Sequence, residues 1–412
     1  MQVSVVGAGI VGMSAALYLQ KDGHKVTVYD ANEPGSGASY GNAGSISTSM
    51  SLPTVTSRIL KRLPKMLLDP YGPLQLRARY LPALAPWLIR LALATRRDKI
   101  VSSTHALGKL LDHAEDSYQP LIRISSAHDL VSSPGRLLIY STAAAYDGAA
   151  AGRAEWDRRS FDYEKLDANQ VREIETSLKG RIFQFGTYFR KTSHVSNPQA
   201  LVQRFVSAFV ANGGNIVKRH VRAIGKREGR RCVVTDTGER ATDTVVIAAG
   251  AWSKALCRSV GVNVPLESER GYHLMFPAVS PELKRSVLWA DKYVHLVPIA
   301  GGVRLTSGIE LASNDASADF RRIYKLAELA RQLMPALAVE PTSKWLGLRP
   351  SLPDSLPIMG RAPAHRDVIL CFGHQHLGLT MGPISGRIIA DIVSEREPPV
   401  DITPFRVDRS FF

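Results

Sequence analysis

The sequence predicts an α/β region interleaved with an α+β region, and three patterns support this assignment. Residues 2–30 read as a strand, a glycine-rich turn, a helix and a second strand, which form one βαβ unit. Residues 51–130 carry apolar and basic helical patterns broken by prolines. After residue 195, strand patterns with turns return and run to a final amphipathic helix. A chain of 412 residues is long enough for two domains of ordinary size.

The composition is typical of a folded globular protein, with 45% hydrophobic and 22% charged residues. The three cysteines lie far apart without CxxC spacing, so we expect free thiols in a reducing compartment and no metal site. The net charge of +15 indicates an anionic partner: nucleic acid, an acidic membrane face or a phosphate-bearing cofactor. The sequence has no zinc-finger spacing, RNP-like aromatic motif or basic-region heptad, so we expect no nucleic-acid binding.

Two stretches invite comparison with membrane segments. The uncharged residues 3–19 lack a preceding basic segment and contain glycines spaced for a turn, so we expect no targeting segment and a cytoplasmic protein. The apolar run within residues 57–99 is interrupted by Pro82, Pro86 and Arg90, which disfavours a membrane span. Its alternation of Leu, Trp and Pro with Lys and Arg leaves two interpretations: solvated helix surfaces, or peripheral contact with the inner face of the cell membrane.

The turn after the first strand, GAGIVG, matches the GxGxxG pattern of dinucleotide-binding proteins. It follows a strand, opens a helix and precedes an acidic residue at the end of the next strand, 18 residues beyond Gly12. In this pattern Gly7 forms the tight turn, Gly9 lets the backbone approach a pyrophosphate, and Gly12 lets helix and strand pack closely. Asp30 would accept the ribose hydroxyls. The alternative is a packing turn without a ligand.

Six segments carry a resemblance to a known family. An NAD enzyme of the usual kind continues with βαβ units, whereas here the second strand is followed by a loop of small polar residues and a helical excursion. The segments are GAGIVG, GNAGSIS, VVIAAGAWS, RGYHLMF, GLRPSLPDSLPIMG and GHQHLGLTMG. In this order they resemble the FAD-dependent D-amino-acid dehydrogenase family, small-subunit type, of the D-amino-acid oxidase and glycine oxidase superfamily, over essentially the whole chain.

This resemblance implies FAD as the cofactor and a Rossmann-like FAD-binding domain interleaved with a mixed-sheet substrate-binding domain that carries helices. We assign residues 1–50, 196–255 and 336–412 to the FAD-binding domain and residues 51–195 and 256–335 to the substrate-binding domain. The turn after the last strand would present backbone amides to the flavin ring, with the last helix's N-terminus behind them. The residues that the resemblance assigns to the cofactor are Gly7, Gly9, Ile10, Val11, Gly12, Asp30, Ala31, Ser39, Asn42, Ala43, Gly44, Ser45, Val221, Ala249, Gly250, Gly373, Gly378, Leu379 and Thr380.

Five residues are candidates for contact with the substrate. Arg349, in GLRP, matches the position that pairs with the substrate carboxylate in relatives. A guanidinium is suited to this role because it can bind a carboxylate through two parallel hydrogen bonds. The alternative is a structural arginine that stabilises the proline loop. Tyr272 is expected to wall the pocket, or to be an ordinary strand tyrosine. His374 matches the family's histidine next to the flavin ring, and His376 can point at the substrate; core packing is the alternative. His194 departs from the family pattern and is either a polar substrate contact or a solvated loop histidine.

The resemblance implies oxidative deamination of a D-amino acid by hydride transfer from the α-carbon to flavin N5. The GHQHLGLT turn is similar to that of dehydrogenases acting on cis-4-hydroxy-D-proline, so we expect a cyclic substrate such as this one or D-proline. No oxygen-activating lysine is evident near the flavin loops, which favours a quinone or another respiratory carrier as electron acceptor. Two alternatives stay open: a glycine- or sarcosine-type amine oxidase that uses oxygen, and a flavin subunit active only within a larger complex.

Overall fold

The computed structural model describes residues 1–69, 71–179, 182–409 and 411. The strands in chain order are β1 (Gln2–Val6), β2 (Lys25–Asp30), β3 (Ser45–Ile46), β4 (Leu74–Leu76), β5 (Val131–Ser132), β6 (Arg136–Tyr140), β7 (Tyr163–Asp167), β8 (Phe185–Phe189), β9 (Ser193–Val195), β10 (Asn215–Lys218), β11 (Val221–Arg227), β12 (Arg230–Thr235), β13 (Gly238–Thr242), β14 (Thr244–Ile247), β15 (Glu267–Phe276), β16 (Ser286–Trp289), β17 (Val294–Ile299), β18 (Gly302–Leu311), β19 (Ser343–Ser351), β20 (Ile358–Ala362) and β21 (His365–Phe372). The α-helices are α1 (Ile10–Lys21), α2 (Ser57–Leu68), α3 (Leu81–Ala94), α4 (Arg97–Asp112), α5 (Ala114–Ile124), α6 (Ala143–Gly148), α7 (Ala150–Arg158), α8 (Ala168–Ile174), α9 (Pro198–Ala211), α10 (Ser253–Ser259), α11 (Arg321–Leu333) and α12 (Gly378–Val393). Short 3-10 helices lie at Ala78–Tyr80, His128–Leu130, Gly250–Trp252 and Thr403–Phe405.

A six-stranded sheet in the order β10-β2-β1-β14-β21-β20 carries the glycine turn. The first five of these strands run parallel, and β20 is antiparallel to β21. The central strands β1 and β14 are almost entirely buried, which is why their sequences are short apolar runs. Two parallel strands that lie next to each other need a crossover connection. The connection from β2 to β10 contains β3 to β9 and α2 to α9.

Helices cover one face of this sheet, and a small sheet covers the other. α1 and α12 pack so closely that a Cβ at Gly386 would lie 2.6 Å from the carbonyl carbon of Ser14. Residues of α4, α5 and α9 join the same hydrophobic core. On the opposite face α10 and the antiparallel sheet β11-β12-β13 close a second core. Because β1 and β21 are parallel, the turn after β1 and the start of α12 lie at the same edge of the sheet.

A second, mixed sheet has the order β19-β15-β18-β17-β16-β6-β8-β7, with β4 beside β18. α11 packs on one face of it against alternate residues of β15, including Leu274 and Phe276. The residues between them in β15, such as His273, therefore lie on the opposite face. A small sheet, β3-β9-β5, is joined to the turn after β17 by a hydrogen bond from Ala300 N to Ser196 O at 2.8 Å. The predicted fold class, α/β with a mixed sheet and helices, is confirmed.

Two segments pack differently from the predicted domain ranges. β19 lies within residues 336–412, but it pairs along its length with β15 in the mixed sheet. α4 and α5 lie within residues 51–195, but their apolar faces belong to the core formed by α1 and α12. We propose domain boundaries that move residues 343–351 to the substrate-binding domain and residues 97–124 to the FAD-binding domain.

The proline-broken region contains short helices. α2 has 12 residues with Pro64 inside it, and α3 has 14 residues with Pro86 inside it. In the described part of the chain no helix combines the length and the apolarity that crossing a bilayer would need.

Candidate active site

The turn GAGIVG packs directly against the end of β14. Gly7 has a φ of +111°, and a Cβ there would lie 2.3 Å from the carbonyl oxygen of Ala248. A Cβ at Gly12 would lie 1.9 Å from the carbonyl oxygen of Gly7. Only glycine fits these two positions, and its small size lets the turn, α1 and β14 pack in direct contact. Ala249 and Gly250, both assigned to the cofactor from the sequence, follow β14 beside this turn.

The N-terminus of α1 lies beside the loop that follows β2. Gly9 is the N-cap residue, and it has no side chain to cap the helix. Ile10 N donates a hydrogen bond to Ser39 Oγ at 3.0 Å, which brings the second loop to the turn. A Cβ at Gly9 would meet only that hydroxyl within 4 Å, at 3.3 Å. Gly9 and Val11 keep partial exposure, so the positive end of the helix can receive a pyrophosphate.

Asp30 ends β2 at the same edge of the sheet. Its Oδ2 accepts a hydrogen bond from Ala8 N at 2.8 Å, and its Oδ1 accepts one from Asn32 N at 2.9 Å. These bonds fix the carboxylate beside the turn, while each oxygen keeps a lone pair for a ribose hydroxyl. Ala31 follows on the surface, and Val221 packs in the core behind β2.

The start of α12 is tied to β3 and to the residue that follows it. Thr380 Oγ1 accepts a hydrogen bond from Ser47 N at 3.0 Å and donates one to Ser45 O at 3.4 Å. α12 begins at Gly378 without a side-chain cap. The next residue, Leu379, accepts a hydrogen bond from Tyr118 Oη through its carbonyl. The structure therefore brings together two segments that the sequence assigns separately to the cofactor.

The loop before β3 rests on the mixed sheet. Arg304 Nη1 donates to the carbonyl of Asn42 at 2.6 Å, and Ala43 packs against apolar residues of β15 and β17. Gly44 has a φ of +75°, and a Cβ there would lie 2.4 Å from a carbonyl of β9. The Ser45 hydroxyl is buried without a hydrogen-bond partner among the described residues. Buried polar groups are normally satisfied, so this hydroxyl is suited to a bound cofactor.

Arg349 lies on the polar face of the mixed sheet. It pairs in register with Glu269, and its guanidinium lies over Gly271, where a Cβ would be 2.3 Å from Nη2. Nη1 donates to the carbonyl of Gly308 at 3.1 Å. Burial lowers the pKa of Arg349, and Glu269 opposes this shift. Burial raises the pKa of Glu269, and Arg349 opposes that. The other guanidinium N–H groups of Arg349 have no hydrogen-bond acceptor among the described residues.

The turn after β21 is fastened to the end of β19. Gln375 has a φ of +50°, and its N and Nε2 donate to the carbonyls of Pro350 at 3.0 Å and Leu352 at 3.2 Å. Gly373 has a φ of +89°, and a Cβ there would lie 2.4 Å from the side chain of Leu352. The turn that leads into α12 is therefore held next to the strand that carries Arg349.

The two histidines of this turn have different surroundings. His374 is buried, and its Nε2 lies 2.9 Å from Ser385 Oγ in α12, so its ring supports the helix. His376 is partly exposed and has no hydrogen-bond partner among the described residues. Burial, followed by the charges of Arg349 and Arg136, lowers the pKa of His376 to about 4. His376 is therefore neutral at neutral pH and lies within electrostatic range of Arg349.

Tyr272 lies on the opposite face of the mixed sheet, which corrects its expected place in the pocket wall. Its ring packs in the core under α11, edge-on to Phe320. Its hydroxyl donates to Glu310 and accepts a hydrogen bond from Asp319 N at 3.1 Å. The physical reason is strand alternation, since its neighbours Gly271 and His273 take the face that carries Arg349.

His194 is buried in β9 and is not a solvated loop residue. Its Nε2 donates to the carbonyl of Pro298 at 2.6 Å, and its ring packs against Gly44. Nδ1 is buried without a partner among the described residues. Burial lowers the pKa of His194, which favours the neutral ring. It joins Gly44, just before β3, to β17 and keeps one nitrogen for a further contact.

Three site residues were missed in the sequence. Arg304, which holds the loop before β3, and Gly271, over which Arg349 extends, lie on the same face of the mixed sheet. His295 lies on β17, the strand whose Pro298 carbonyl accepts a hydrogen bond from His194, and its Nε2 lies 2.7 Å from Ser286 Oγ. A single polar residue within an otherwise apolar strand, such as His295 in VHLVPI, is a signal that would have indicated that residue.

Comparison with known proteins identifies the family. The family model described as DAO, FAD dependent oxidoreductase, matches residues 2–392. The chain belongs to this family. A D-amino-acid oxidase of Bradyrhizobium diazoefficiens is 33% identical over 99% of this chain and 98% of that protein. A D-amino acid dehydrogenase of Allorhizobium ampelinum is 27% identical over 99% and 98%. The family resemblance expected from the sequence is confirmed.

Solved structures share the fold. Glycine oxidase from Geobacillus kaustophilus superposes with a TM-score of 0.76 at 23% identity, covering 99% of this chain and 98% of that one. Iminodiacetate oxidase from Chelativorans sp. BNC1 gives a TM-score of 0.73 at 19% identity, covering 98% of each chain. At these identities the likeness concerns the fold.

The residues present fit FAD, the cofactor of this family. The open N-terminus of α1, the fixed Asp30 carboxylate and the unpaired Ser45 hydroxyl lie on the segments that the sequence assigns to it. Gly9 would approach the pyrophosphate, Asp30 the ribose, and the start of α12 the flavin. This chain is thus an FAD-dependent oxidoreductase. In the described part of the chain, no group of three or more His, Cys, Asp or Glu residues is placed to hold a metal ion.

Proposed function

We propose that the protein oxidises D-amino acids and that Arg349 binds the substrate carboxylate. The observation that carries this proposal is the placement of Arg349 over Gly271, beside the turn that leads into α12. Among the described residues, its guanidinium donates only to the Gly308 carbonyl. The relatives named D-amino-acid oxidase and D-amino acid dehydrogenase, which align over nearly the whole chain, support the substrate class.

The chain's residues would act by positioning the substrate. Arg349 holds the carboxylate in a fixed orientation through charge-assisted hydrogen bonds. Neutral His376 can accept a hydrogen bond from the substrate amine without adding a charge to the site. A substrate that binds with a neutral amine needs no protein base. Bound FAD supplies the acceptor for the hydride of the α-carbon.

We propose a quinone or another respiratory carrier as the electron acceptor. The dehydrogenase names of several relatives favour it, whereas the 33% identical relative is named an oxidase. The candidate site residues include arginines and histidines but no lysine. Stoichiometric hydrogen peroxide during turnover in air would contradict this acceptor and favour an oxidase. A partner that co-purifies in fixed ratio and is needed for flavin reduction would instead favour the flavin-subunit alternative.

Cis-4-hydroxy-D-proline and D-proline are the cyclic substrates that the sequence favours. This expectation depends on two histidines, His194 and His376. One ring nitrogen of His194 is already bonded to the Pro298 carbonyl, so His376 is the better candidate for a contact with a substrate hydroxyl. Equal turnover of D-alanine and cis-4-hydroxy-D-proline would remove the case for a hydroxylated cyclic substrate.

We further propose a peripheral membrane contact through α2, α3 and the segment between them. Two exposed arginines, Arg62 and Arg79, lie in this region. The exposed large apolar side chains there are Leu67, Leu68, Tyr71, Leu81 and Ile89. This combination suits an anionic lipid surface. Sedimentation with phosphatidylglycerol vesicles should be lost in Leu68→Glu/Ile89→Glu and retained in Val339→Glu, which changes an exposed valine elsewhere. No sedimentation of the wild type would refute the contact.

The test of the proposed function compares two arginines. Arg349→Met should lower kcat/KM for a D-amino acid by about 100-fold or more, because it removes charge-assisted hydrogen bonds. Arg361→Met is the matched control, since among the described residues the Arg361 guanidinium donates to the backbone carbonyls of Arg366 and Ile392. Equal kcat/KM in Arg349→Met and the control, at equal FAD content, would contradict the role of Arg349.

A further inference from the structure

The indole of Trp345 lies on the same face of the mixed sheet as Arg349. Strand alternation puts residues 345, 347 and 349 of β19 on one face. The neighbouring residue Lys344 confirms the alternation, since its Nζ lies 5.0 Å from the ring centroid of Phe320, which packs with the core on the opposite face. Trp345 is therefore the next side chain after Gly347 on the face that carries Arg349.

Two paired glycines bring the indole close to the guanidinium. Gly271 of β15 and Gly347 of β19 lie opposite each other on adjacent strands. The guanidinium of Arg349 occupies the space above Gly271, where a Cβ would be 2.3 Å from Nη2. The indole of Trp345 occupies the space above Gly347, where a Cβ would be 1.9 Å from Cη2. The Cβ positions of opposed residues are about 4.5–5.5 Å apart, so Nη2 and Cη2 are separated by no more than about 10 Å.

The indole is held in place by its neighbours. The ring of His273, opposite Trp345 in register, stacks on the indole at a centroid distance of 5.0 Å. The ring of Tyr40 packs edge-on at 5.7 Å, and a Cβ at Gly41 would lie 1.7 Å from Cζ3 of the indole. Trp345 keeps partial exposure, whereas His273 is only 1% exposed. The indole, rather than His273, is therefore the surface that a ligand next to Arg349 can contact.

His376 and Trp345 lie towards opposite ends of β19 from Arg349. The turn that carries His376 is tied to the carbonyl of Pro350, which follows Arg349 on this strand. Trp345 and Gly347 precede Arg349. For a substrate whose carboxylate binds Arg349 and whose amine faces His376, the direction that remains for the side chain runs the other way along β19. That direction leads over Gly347 to Trp345.

The surface in this direction is largely apolar. Beyond the indole on the same face, Met275 packs with Ala43 and with apolar residues of β17. Arg304, also on this face, donates to backbone carbonyls of the loop before β3. Burial, and then the charge of Arg304, lowers the pKa of His273 to about 3, so its ring is neutral. A polar group that leaves water for such a surface without a new hydrogen bond costs free energy, whereas apolar groups gain it.

We propose that the side chain of the substrate packs against the indole of Trp345, so that the preferred substrates are D-amino acids with an apolar side chain or a saturated ring. This inference rests on the proposed oxidation of a D-amino acid with its α-carboxylate on Arg349. Trp345 is a specificity-determining residue in this arrangement, because a polar side chain of equal size loses its hydrogen bonds to water on the indole. D-Proline, with a saturated ring, belongs to the preferred class.

The first test uses the wild-type holoenzyme and pairs of D-amino acids of nearly equal shape. Rates of anaerobic flavin bleaching are measured with D-leucine against D-asparagine and with D-valine against D-threonine. The apolar member of each pair should react roughly 10-fold faster or more at low concentration, the effect of leaving a polar group without a hydrogen bond. A polar member that reacts as fast as its apolar partner would overturn the inference while leaving the proposed function intact. Absence of bleaching by every D-amino acid would instead remove the proposed function itself.

The second test changes the indole. In Trp345→Gln the ratio of the D-leucine rate to the D-asparagine rate should fall towards one, whereas the aromatic replacement Trp345→Phe should keep it close to the wild-type ratio. Trp156→Gln is the matched control, because it removes a partly buried indole that packs edge-on against Tyr163 and Phe189 at the other end of the mixed sheet. The control should keep the wild-type ratio. A wild-type ratio in Trp345→Gln, or an equal fall in the control, would overturn the inference.

Inhibition of the wild type gives a result that does not depend on a folded variant. Isocaproate and succinamate have the shapes of D-leucine and D-asparagine without the amine, and each keeps one carboxylate for Arg349. Isocaproate should compete with substrate at a concentration roughly 10-fold lower than succinamate, because only succinamate places a polar group on the indole. Equal inhibition by the two compounds would overturn the inference.

Discussion

The substitution Gly271→Ala tests whether Arg349 binds the substrate carboxylate. A Cβ at residue 271 would lie 2.3 Å from Nη2 and 2.4 Å from Cζ of Arg349. Favourable contacts between heavy atoms need about 3.5 Å, so in Gly271→Ala the guanidinium has to move by about 1 Å. Gly271 lies inside β15 and has no positive φ, so alanine introduces no backbone strain. The substitution displaces Arg349 without removing its charge.

A displacement of about 1 Å is enough to lower kcat/KM by roughly 100-fold when binding orients the reacting atoms. The assay is steady-state oxidation of a D-amino acid with a dye as electron acceptor, together with the FAD content from the visible spectrum. Gly225→Ala in β11 is the control, since its Cβ would meet the Cys232 thiol at 2.9 Å, away from the site. If Gly271→Ala keeps the kcat/KM of this control at full FAD content, then Arg349 does not bind the carboxylate from its position over Gly271.

Three further predictions concern the cofactor turn, the correction at Tyr272 and acid stability. Gly9→Ala should fold, because its Cβ meets only Ser39 Oγ, at 3.3 Å. It should bind FAD about 10- to 100-fold more weakly, because the added methyl group keeps the pyrophosphate away from the backbone. Unchanged FAD affinity in a titration of the apoprotein would refute this prediction. Tyr272→Phe should keep the wild-type kcat/KM but lower the free energy of unfolding by about 1–3 kcal/mol, since buried Glu310 and Asp319 N lose a hydrogen-bond partner. A large loss of kcat/KM at full stability would instead indicate that Tyr272 lines the substrate pocket. Burial lowers the pKa of His374 to about 3 and, with Arg304, that of His273 to about 3. Their unfolded forms bind protons first, so the stability that they contribute is complete above about pH 6.5 and falls by about 1 kcal/mol each per pH unit below it. Urea unfolding that shows no loss between about pH 6.5 and about pH 5.5 would contradict these shifts.

The parts of the site that local sequence patterns define were predictable. The glycine turn depends on backbone geometry within a few residues, so GAGIVG and Asp30 gave the position of the dinucleotide site. The turn after β21 was found because its glycines and histidines follow an apolar strand directly. Arg349 was proposed as a site residue through a resemblance of its motif to that of relatives.

The parts that depend on register between distant strands were not predictable. Tyr272 and Gly271 are adjacent, and only the pairing of β15 with β19 decides which one faces Arg349. Arg136 begins an apolar strand, and nothing near it in the sequence shows that its buried Nε has no hydrogen-bond partner among the described residues. α4 packs through its apolar face on α12, nearly 270 residues away in sequence. Local periodicity predicts the apolar face but not the helix that it contacts.

The most direct test of the central claim is anaerobic titration of the purified protein with the D- and L-enantiomers of the same amino acids, followed by the visible flavin spectrum. The proposed function predicts that the flavin bands bleach with D-enantiomers and persist with the L-enantiomers. Bleaching by the L-enantiomers, or by neither enantiomer of any amino acid, would contradict it.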